Sequence, residues 1–167
     1  MGDSYREIMV KRETSVMDQV KKISLIGLTV LMFAGGIFIT PLLLLVGLAL
    51  AIVCYFIVPG FDLEYEYLYV NGELDIDKIM SKQKRKKCAS YDMNLLEIMA
   101  PSNSHELDSY RNKKDIKIRD FTSRKQDVLS YTLIFNLEKG QELVKVELDE
   151  AIVSDIRRIA PRKVCQY

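Results

Sequence analysis

The polarity of the chain changes twice along its length and divides it into three segments. Residues 1–22 form a polar tail, residues 23–58 are continuously apolar, and residues 61–167 alternate between apolar and polar positions. The middle segment contains no Asp, Glu, Lys, Arg, His, Asn or Gln. Continuous apolarity is typical of a membrane-spanning segment, whereas alternation is typical of β-strands. The pattern therefore predicts a membrane anchor followed by a small β-rich domain.

The apolar segment is too long for a single crossing. Its 36 residues would extend about 54 Å as one helix, whereas the hydrocarbon core is about 30 Å thick. Thr40-Pro41 lies near the middle, and proline cannot donate an amide hydrogen bond to a continuing helix. We therefore predict a transmembrane hairpin with helices at about 24–39 and 41–58. A single kinked span is the alternative.

The charges that flank the hairpin predict its orientation. Lys21 and Lys22 abut the first helix, and the turn between the helices is uncharged. Positive flanks stay on the cytoplasmic side, so we expect a multi-pass protein of the inner membrane with both termini in the cytoplasm. Gly35-Gly36 either allows the helices to approach closely or reflects ordinary small-residue content. With no ionisable residue inside the segment, nothing indicates a transport or proton-relay role.

The polar tail has apolar residues at helix-like intervals. They recur from Ile8 to Val20 among acids and bases. Such spacing permits a short amphipathic helix at the membrane interface. We therefore predict a partial helix in residues 1–22 rather than a fully disordered tail.

The third segment begins with a strong hairpin signal. Tyr65, Tyr67 and Tyr69 alternate along one face of a strand, and Asn71-Gly72 suits the positive φ angles of a two-residue turn. We expect the tyrosines to pack on one sheet face rather than to anchor at the membrane surface. Further strands are predicted at about 73–77, 88–91, 95–99, 116–121, 128–135 and 142–148, with a polar loop over 102–115 and a turn at Lys139-Gly140.

The period changes to that of a helix at the end of the chain. Ile152, Val153, Ile156 and Ile159 share one helix face, Asp149 can cap the amino end, and Pro161 ends the helix. The predicted fold class is thus a membrane α-helical hairpin plus an α+β, mainly-β domain. That domain has seven short, mostly antiparallel strands closed by a carboxy-terminal helix.

This order of elements resembles the pleckstrin-homology (PH) fold. The run from Tyr67 through Pro101, "YLYVNGELDIDKIMSKQKRKKCASYDMNLLEIMAP", looks like the opening half of bacterial PH-like membrane proteins. The whole chain is similar to an uncharacterised bacterial family of small membrane proteins with a two-helix hairpin followed by a PH-like domain. Eukaryotic lipid-binding PH domains use a long basic loop between their first two strands. Here that loop is only Asn71-Gly72, so the resemblance does not extend to their pocket.

A run of five basic residues between positions 82 and 87 stands out in a chain whose net charge is +1. Its five cations could contact anionic lipid, dock an acidic partner or nucleic acid, or line a solvated strand edge that deters unwanted pairing. Asp75 and Asp77 on the preceding strand could neutralise part of this charge. All three interpretations stay open at this stage. The candidate contact residues are Lys82, Lys84, Arg85, Lys86 and Lys87.

Nothing in the sequence points to catalysis. Cys54, Cys88 and Cys165 are scattered, which fits a reducing compartment, and His105 has no neighbouring cysteine pair. No nucleophile motif, carboxylate pair, phosphate loop or metal spacing occurs, so we predict no catalytic residue, cofactor or metal.

The functional hypothesis is therefore a non-enzymatic membrane protein that presents a PH-like binding domain at the inner membrane face. The alternative is an accessory subunit of a larger membrane enzyme or transporter. The expected partners are the bilayer, another protein or a second copy of the chain, and weakly bound anionic lipid, with no nucleic acid.

Overall fold

A computed structural model describes residues 5–82, 84–113, 115–138 and 140–165. Its contacts divide the chain into two compact units. The helical unit comprises residues 13–64 and 79–85. The β unit comprises residues 1–12, 65–78 and 86–167, so it is assembled from segments on both sides of the helices.

The helical unit contains a pair of consecutive helices joined by a short turn. Helix α1 spans Val16–Phe38 and helix α2 spans Leu42–Ile57, followed by one 3₁₀ turn at Val58–Phe61. Ser15 caps α1 by accepting a hydrogen bond from the Met17 amide. The predicted break at Thr40-Pro41 is confirmed, and α1 begins eight residues earlier than predicted because the charged flank continues the helix.

Glycines set the packing of α1 against α2. A Cβ atom built on Gly36 would lie 2.6 Å from the Leu44 side chain, and one on Gly47 would lie 3.2 Å from the Phe33 ring. Thr29 Oγ1 and Cys54 Sγ also lie 3.3 Å apart across the pair. The interpretation that Gly36 permits close approach is thus confirmed, because any side chain there would displace Leu44.

The β unit contains two four-stranded sheets, with strand orders β1-β2-β3-β4 and β5-β7-β8-β6. In the second sheet β7 pairs antiparallel with β5 and β8, whereas β6 pairs parallel to β8. The strands are β1 (Tyr5–Lys11), β2 (Leu63–Val70), β3 (Glu73–Met80), β4 (Lys84–Asp92), β5 (Leu96–Pro101), β6 (Lys117–Asp120), β7 (Tyr131–Leu137) and β8 (Gly140–Val146).

The tail differs most from its prediction. Tyr5–Lys11 forms strand β1 at the edge of the first sheet, and only the residues from Val16 onward are helical. The expected helix is therefore wrong for Tyr5–Lys11. A seven-residue edge strand has no strong signature of its own, since Val10 is the one buried position in it. The described residues thus contain eight strands rather than seven.

The remaining elements follow the predicted order with shifted boundaries. Asn71 and Gly72 have φ angles of 48° and 91°, as the predicted two-residue turn requires. The expected loop after β5 carries a 3₁₀ turn and a one-turn helix, α3 (Asp108–Arg111), anchored by the buried Leu107. In the predicted turn at Lys139-Gly140, Lys139 lies outside the described residues, and Gly140 has a φ of 111°.

Both sheets and the last helix share one hydrophobic core. Helix α4 spans Glu150–Ile159, and Asp149 caps it by accepting a hydrogen bond of 2.8 Å from the Ile152 amide. The predicted cap is confirmed. Residues 163–165 then lie along β5, where the amides of Met99 and Cys165 donate to the carbonyls of Lys163 and Met99. The core is built mainly from Tyr65, Tyr67, Tyr69, Leu74, Ile76, Tyr91, Met93, Leu133, Phe135, Val144, Ile152 and Ile156.

Candidate functional site

The buried tyrosines serve the core, as the alternation in β2 predicted. Tyr65, Tyr67 and Tyr69 are 5%, 0% and 0% exposed. The Tyr67 hydroxyl donates to the Phe121 carbonyl at 2.7 Å, and the Tyr69 hydroxyl donates to Asp155 Oδ2 at 2.8 Å. Burial raises the pKa of both phenols. These rings are therefore structural groups rather than interfacial anchors.

A charged cluster around Glu142 in the β unit also has a structural role. Glu142 accepts hydrogen bonds from Lys117 Nζ and the Tyr91 hydroxyl, each at 3.0 Å, and Arg119 Nε lies 3.2 Å away. Burial is the largest single influence and tends to raise the pKa of Glu142. The hydrogen bonds from Lys117 and Tyr91, together with the Arg119 charge, outweigh it and hold that pKa below its usual value. Glu142 thus ties β6 and β4 to β8.

The predicted basic run begins at a turn and continues into a strand. Ser81 and Lys82 have φ angles of 48° and 56°, and Lys84 starts β4. All five candidate residues are exposed. The structure therefore places Lys84, Arg85, Lys86 and Lys87 in the strand itself, where the sequence had suggested a link leading into it.

The five cations do not share one environment. Residues 82, 84 and 85 belong to the helical unit, whereas residues 86 and 87 belong to the β unit. Lys87 Nζ donates to Asp75 Oδ2 at 2.8 Å, and this hydrogen bond raises the pKa of Lys87. The predicted neutralisation by Asp75 is therefore confirmed for Lys87.

Within the helical unit, Lys84 contacts the last turn of α2. Its ammonium nitrogen lies 4.9 Å from the centroid of the Tyr55 ring and 5.8 Å from that of Phe56. The two rings meet edge to face, with centroids 5.4 Å apart. This arrangement is a cation–π contact with two aromatic rings. Sequence reasoning missed it because 28 positions separate Phe56 from Lys84.

Hydrogen bonds also link the turn between β3 and β4 to the segment that follows α2. The Ser81 amide donates to the Asp62 carbonyl at 2.9 Å, and the Ser81 hydroxyl donates to the Pro59 carbonyl at 3.5 Å.

A cavity of about 440 Å³ lies between the start of α1 and the 3₁₀ turn after α2. It is lined by Thr14, Gln19, Lys22, Ile23, Phe61 and Asp62.

A second cavity, of about 500 Å³, opens in the β unit beside β1. Residues 8–11 form one wall, and residues 123–128 and 147–149 form the rest. Its acids already have structural partners, because Glu147 Oε1 accepts two hydrogen bonds of 2.7 Å from Ser123 and Asp149 caps α4. The sequence could not indicate this groove once the tail was expected to be helical.

No feature of the described residues resembles a metal centre. They contain no group of three or more His, Cys, Asp or Glu side chains that could hold a metal ion. The three cysteines are unpaired, and burial raises the pKa of Cys165 to about 11. A thiol with such a pKa stays protonated near neutral pH and is a poor nucleophile.

The surface of the helical pair is strongly apolar. By length and composition, Val16–Phe38 and Leu42–Phe61 are each long and apolar enough to span a membrane, and only 6% of an 18-residue apolar window in each is buried. Phe38, for example, is 86% exposed. The helices contact each other through their glycines and leave most of their large side chains facing outward.

The two sheets with a closing helix, following an apolar helical pair, define a PH-like domain protein. The chain belongs to the bacterial PH-like domain family (DUF6106), whose model matches residues 2–166. The family resemblance drawn from the sequence is therefore confirmed. No curated protein and no solved structure matches the chain.

Proposed function

We propose that the chain is a membrane-anchored binding module without enzymatic activity, which presents its PH-like domain at the cytoplasmic face of the inner membrane. The observation that carries this proposal is the outward-facing apolar surface of the helical pair. Large apolar side chains from Ile23 to Ile57 are exposed on both helices. An apolar surface of this extent is costly in water but matches the hydrocarbon of a bilayer.

The proposed orientation follows from the charges at the two ends of the pair. Lys21 and Lys22 lie in the first two turns of α1, whereas the turn between α1 and α2 has no charged side chain. Lysines near a span are retained in the cytoplasm. The parts of the β unit before and after the helices then lie on that side, because β1 precedes α1 and β2 follows α2.

We propose that the protein is not a catalyst because its buried polar groups form hydrogen bonds within the fold. Asp155 and Glu142 accept hydrogen bonds from tyrosines inside the β unit. These contacts stabilise the fold, and neither carboxylate lines the two cavities described above. PH-like domains are, moreover, typically binding modules rather than catalysts.

Cysteine accessibility in intact cells tests both insertion and orientation. In a background with all three native cysteines replaced by alanine, Thr40→Cys marks the turn of the hairpin and Asn112→Cys marks the β unit. A maleimide that cannot cross membranes should label Thr40→Cys once the cell envelope outside the inner membrane is made permeable. It should label Asn112→Cys only after the inner membrane itself is permeabilised. The reverse pattern would contradict the orientation, and extraction of the chain by alkaline carbonate would contradict insertion.

Purification in mild detergent addresses the binding role. We expect the full-length protein to be recovered alone, as copies of itself, or with substoichiometric partners. A second membrane protein recovered in fixed stoichiometry would instead indicate an accessory subunit of a larger complex.

A further inference from the structure

Given the membrane location proposed above, we infer that the β3–β4 turn, docked on the last turn of α2, binds the phosphate groups of anionic phospholipids. Lys82 and Lys84 supply the cations, and Tyr55 and Phe56 form the apolar floor beneath Lys84. This site lies wholly within the helical unit. It differs from the long-loop pocket of eukaryotic PH domains, since the β2–β3 turn has only two residues.

The depth of the site follows from its aromatic floor. Tyr55 and Phe56 are 66% and 69% exposed and lie in the final turn of α2, which ends at Ile57. Exposed aromatic side chains at the end of a span are typical of the interface between hydrocarbon and headgroups. The Lys84 ammonium, 4.9 Å from the Tyr55 centroid, therefore lies at the depth of the lipid phosphates.

The contact with the rings leaves Lys84 able to bind an anion. A cation over an aromatic face keeps its charge, and an ammonium has three N–H donors, so the donors that do not face a ring can still bind an anion. The two rings thus position the ammonium without neutralising it. This contrasts with Lys87, whose ammonium donates to the Asp75 carboxylate.

The turn is held in place before any lipid binds. The Ser81 hydrogen bond to the Asp62 carbonyl joins the turn to the segment that follows α2. Ser81 and Lys82 both adopt positive φ, which is uncommon for residues other than glycine. The backbone at Ser81 and Lys82, held in this conformation, loses little freedom when a lipid binds.

The structure thus divides the basic run into two parts with different roles. Lys82 and Lys84 carry the lipid contact, whereas Lys86 and Lys87 belong to the β unit, where Lys87 is already neutralised. Two matched double variants follow, each removing two lysines and the same formal charge. They are Lys82→Ser with Lys84→Ser, and Lys86→Ser with Lys87→Ser.

Electron spin resonance of lipids around the reconstituted full-length protein tests this division. The protein is placed in phosphatidylcholine vesicles with a trace of spin-labelled phosphatidylglycerol or, separately, spin-labelled phosphatidylcholine. The motionally restricted fraction of each probe measures its affinity for the protein surface. We expect a several-fold preference for phosphatidylglycerol that high salt weakens. In the Lys82/Lys84 variant this preference should fall nearly to unity, a several-fold loss that lies within the ~1 kcal/mol expected for each cation near anionic lipid.

The control variants separate the possible outcomes. The Lys86/Lys87 variant should keep the preference, and so should Lys84→Arg, since arginine retains both the charge and the ring contact. An equal loss in the two double variants, or no preference in the wild-type protein, would overturn the assignment. A wild-type protein that restricts neither probe would show instead that the hairpin is not in the bilayer, and the proposed function would then fail first.

Discussion

The Tyr69 hydroxyl donates a hydrogen bond of 2.8 Å to Asp155 Oδ2 between two residues that are 86 positions apart. Tyr69 is fully buried near the end of β2, and Asp155 lies on the inner side of α4 with only 8% of its surface exposed. The bond joins the first predicted hairpin to the closing helix. Arg158, an ion-pair partner of Asp155, is mostly exposed.

Removal of that hydroxyl should destabilise the β unit. We expect Tyr69→Phe to lower the free energy of unfolding by about 1–2 kcal/mol, because a buried carboxylate loses a hydrogen bond while the ring still fills its space. Urea unfolding of the full-length protein in mild detergent measures the change. Tyr110→Phe is the control, since its hydroxyl bonds Glu97 at a less buried site, and its effect should be smaller. Equal effects would contradict a special role for the Tyr69–Asp155 contact.

The close packing of the helices predicts different effects at two glycines of α1. Gly36→Ala places a Cβ 2.6 Å from Leu44, so the helices must separate and the melting temperature in detergent should fall. Gly27→Ala meets nothing within 4 Å, and alanine favours helix over glycine by about 1 kcal/mol. It should leave the melting temperature unchanged or raise it. A lower value for both variants would argue against contact at Gly36.

The assignment of β1 to the β unit predicts a contrast between neighbouring residues of the tail. Val10 is 6% exposed within the core, whereas Met9 is 55% exposed. Val10→Asp should destabilise the β unit by at least about 2 kcal/mol, because it buries a carboxylate without a partner. Met9→Asp should change stability little. Limited proteolysis of the full-length protein distinguishes the two, and equal protection of both variants would contradict the strand.

The lowered pKa of Glu142 predicts a loss of stability in acid. The unfolded chain has an ordinary glutamate pKa of about 4.3, so it binds a proton at a higher pH than the folded protein does. The contribution of Glu142 is thus fully present above that value and is lost as the pH falls through the folded pKa. Unfolding measured between neutral pH and acid should show this loss in the wild-type protein.

Substitution of the Glu142 carboxylate should reduce the loss of stability that occurs as the pH falls. Glu142→Gln cannot accept the ionic contacts of Lys117 and Arg119, so the variant should be less stable at neutral pH and less sensitive to acid. Glu138→Gln, at an exposed position of the same hairpin, is the control. A Glu142→Gln variant with an unchanged loss of stability in acid would show that other carboxylates govern it.

The sequence by itself determined the elements whose residues carry a local signal. The apolar length with Thr40-Pro41 gave the helical pair, the positive φ of Asn71-Gly72 gave the tight turn, and Asp149 gave the cap of α4. Each of these depends on the backbone preferences or polarity of residues close together in the chain. The PH-like family could be recognised from their order.

Tertiary structure decided what depends on distant partners. Strand β1 forms because the edge of β2 is available to it, although its own residues permit a helix equally well. The lysines of the basic run look alike in sequence, yet Asp75 neutralises Lys87 while Tyr55 and Phe56 hold Lys84. Charge is a local property, but what a charge faces is set by packing between segments far apart in the chain.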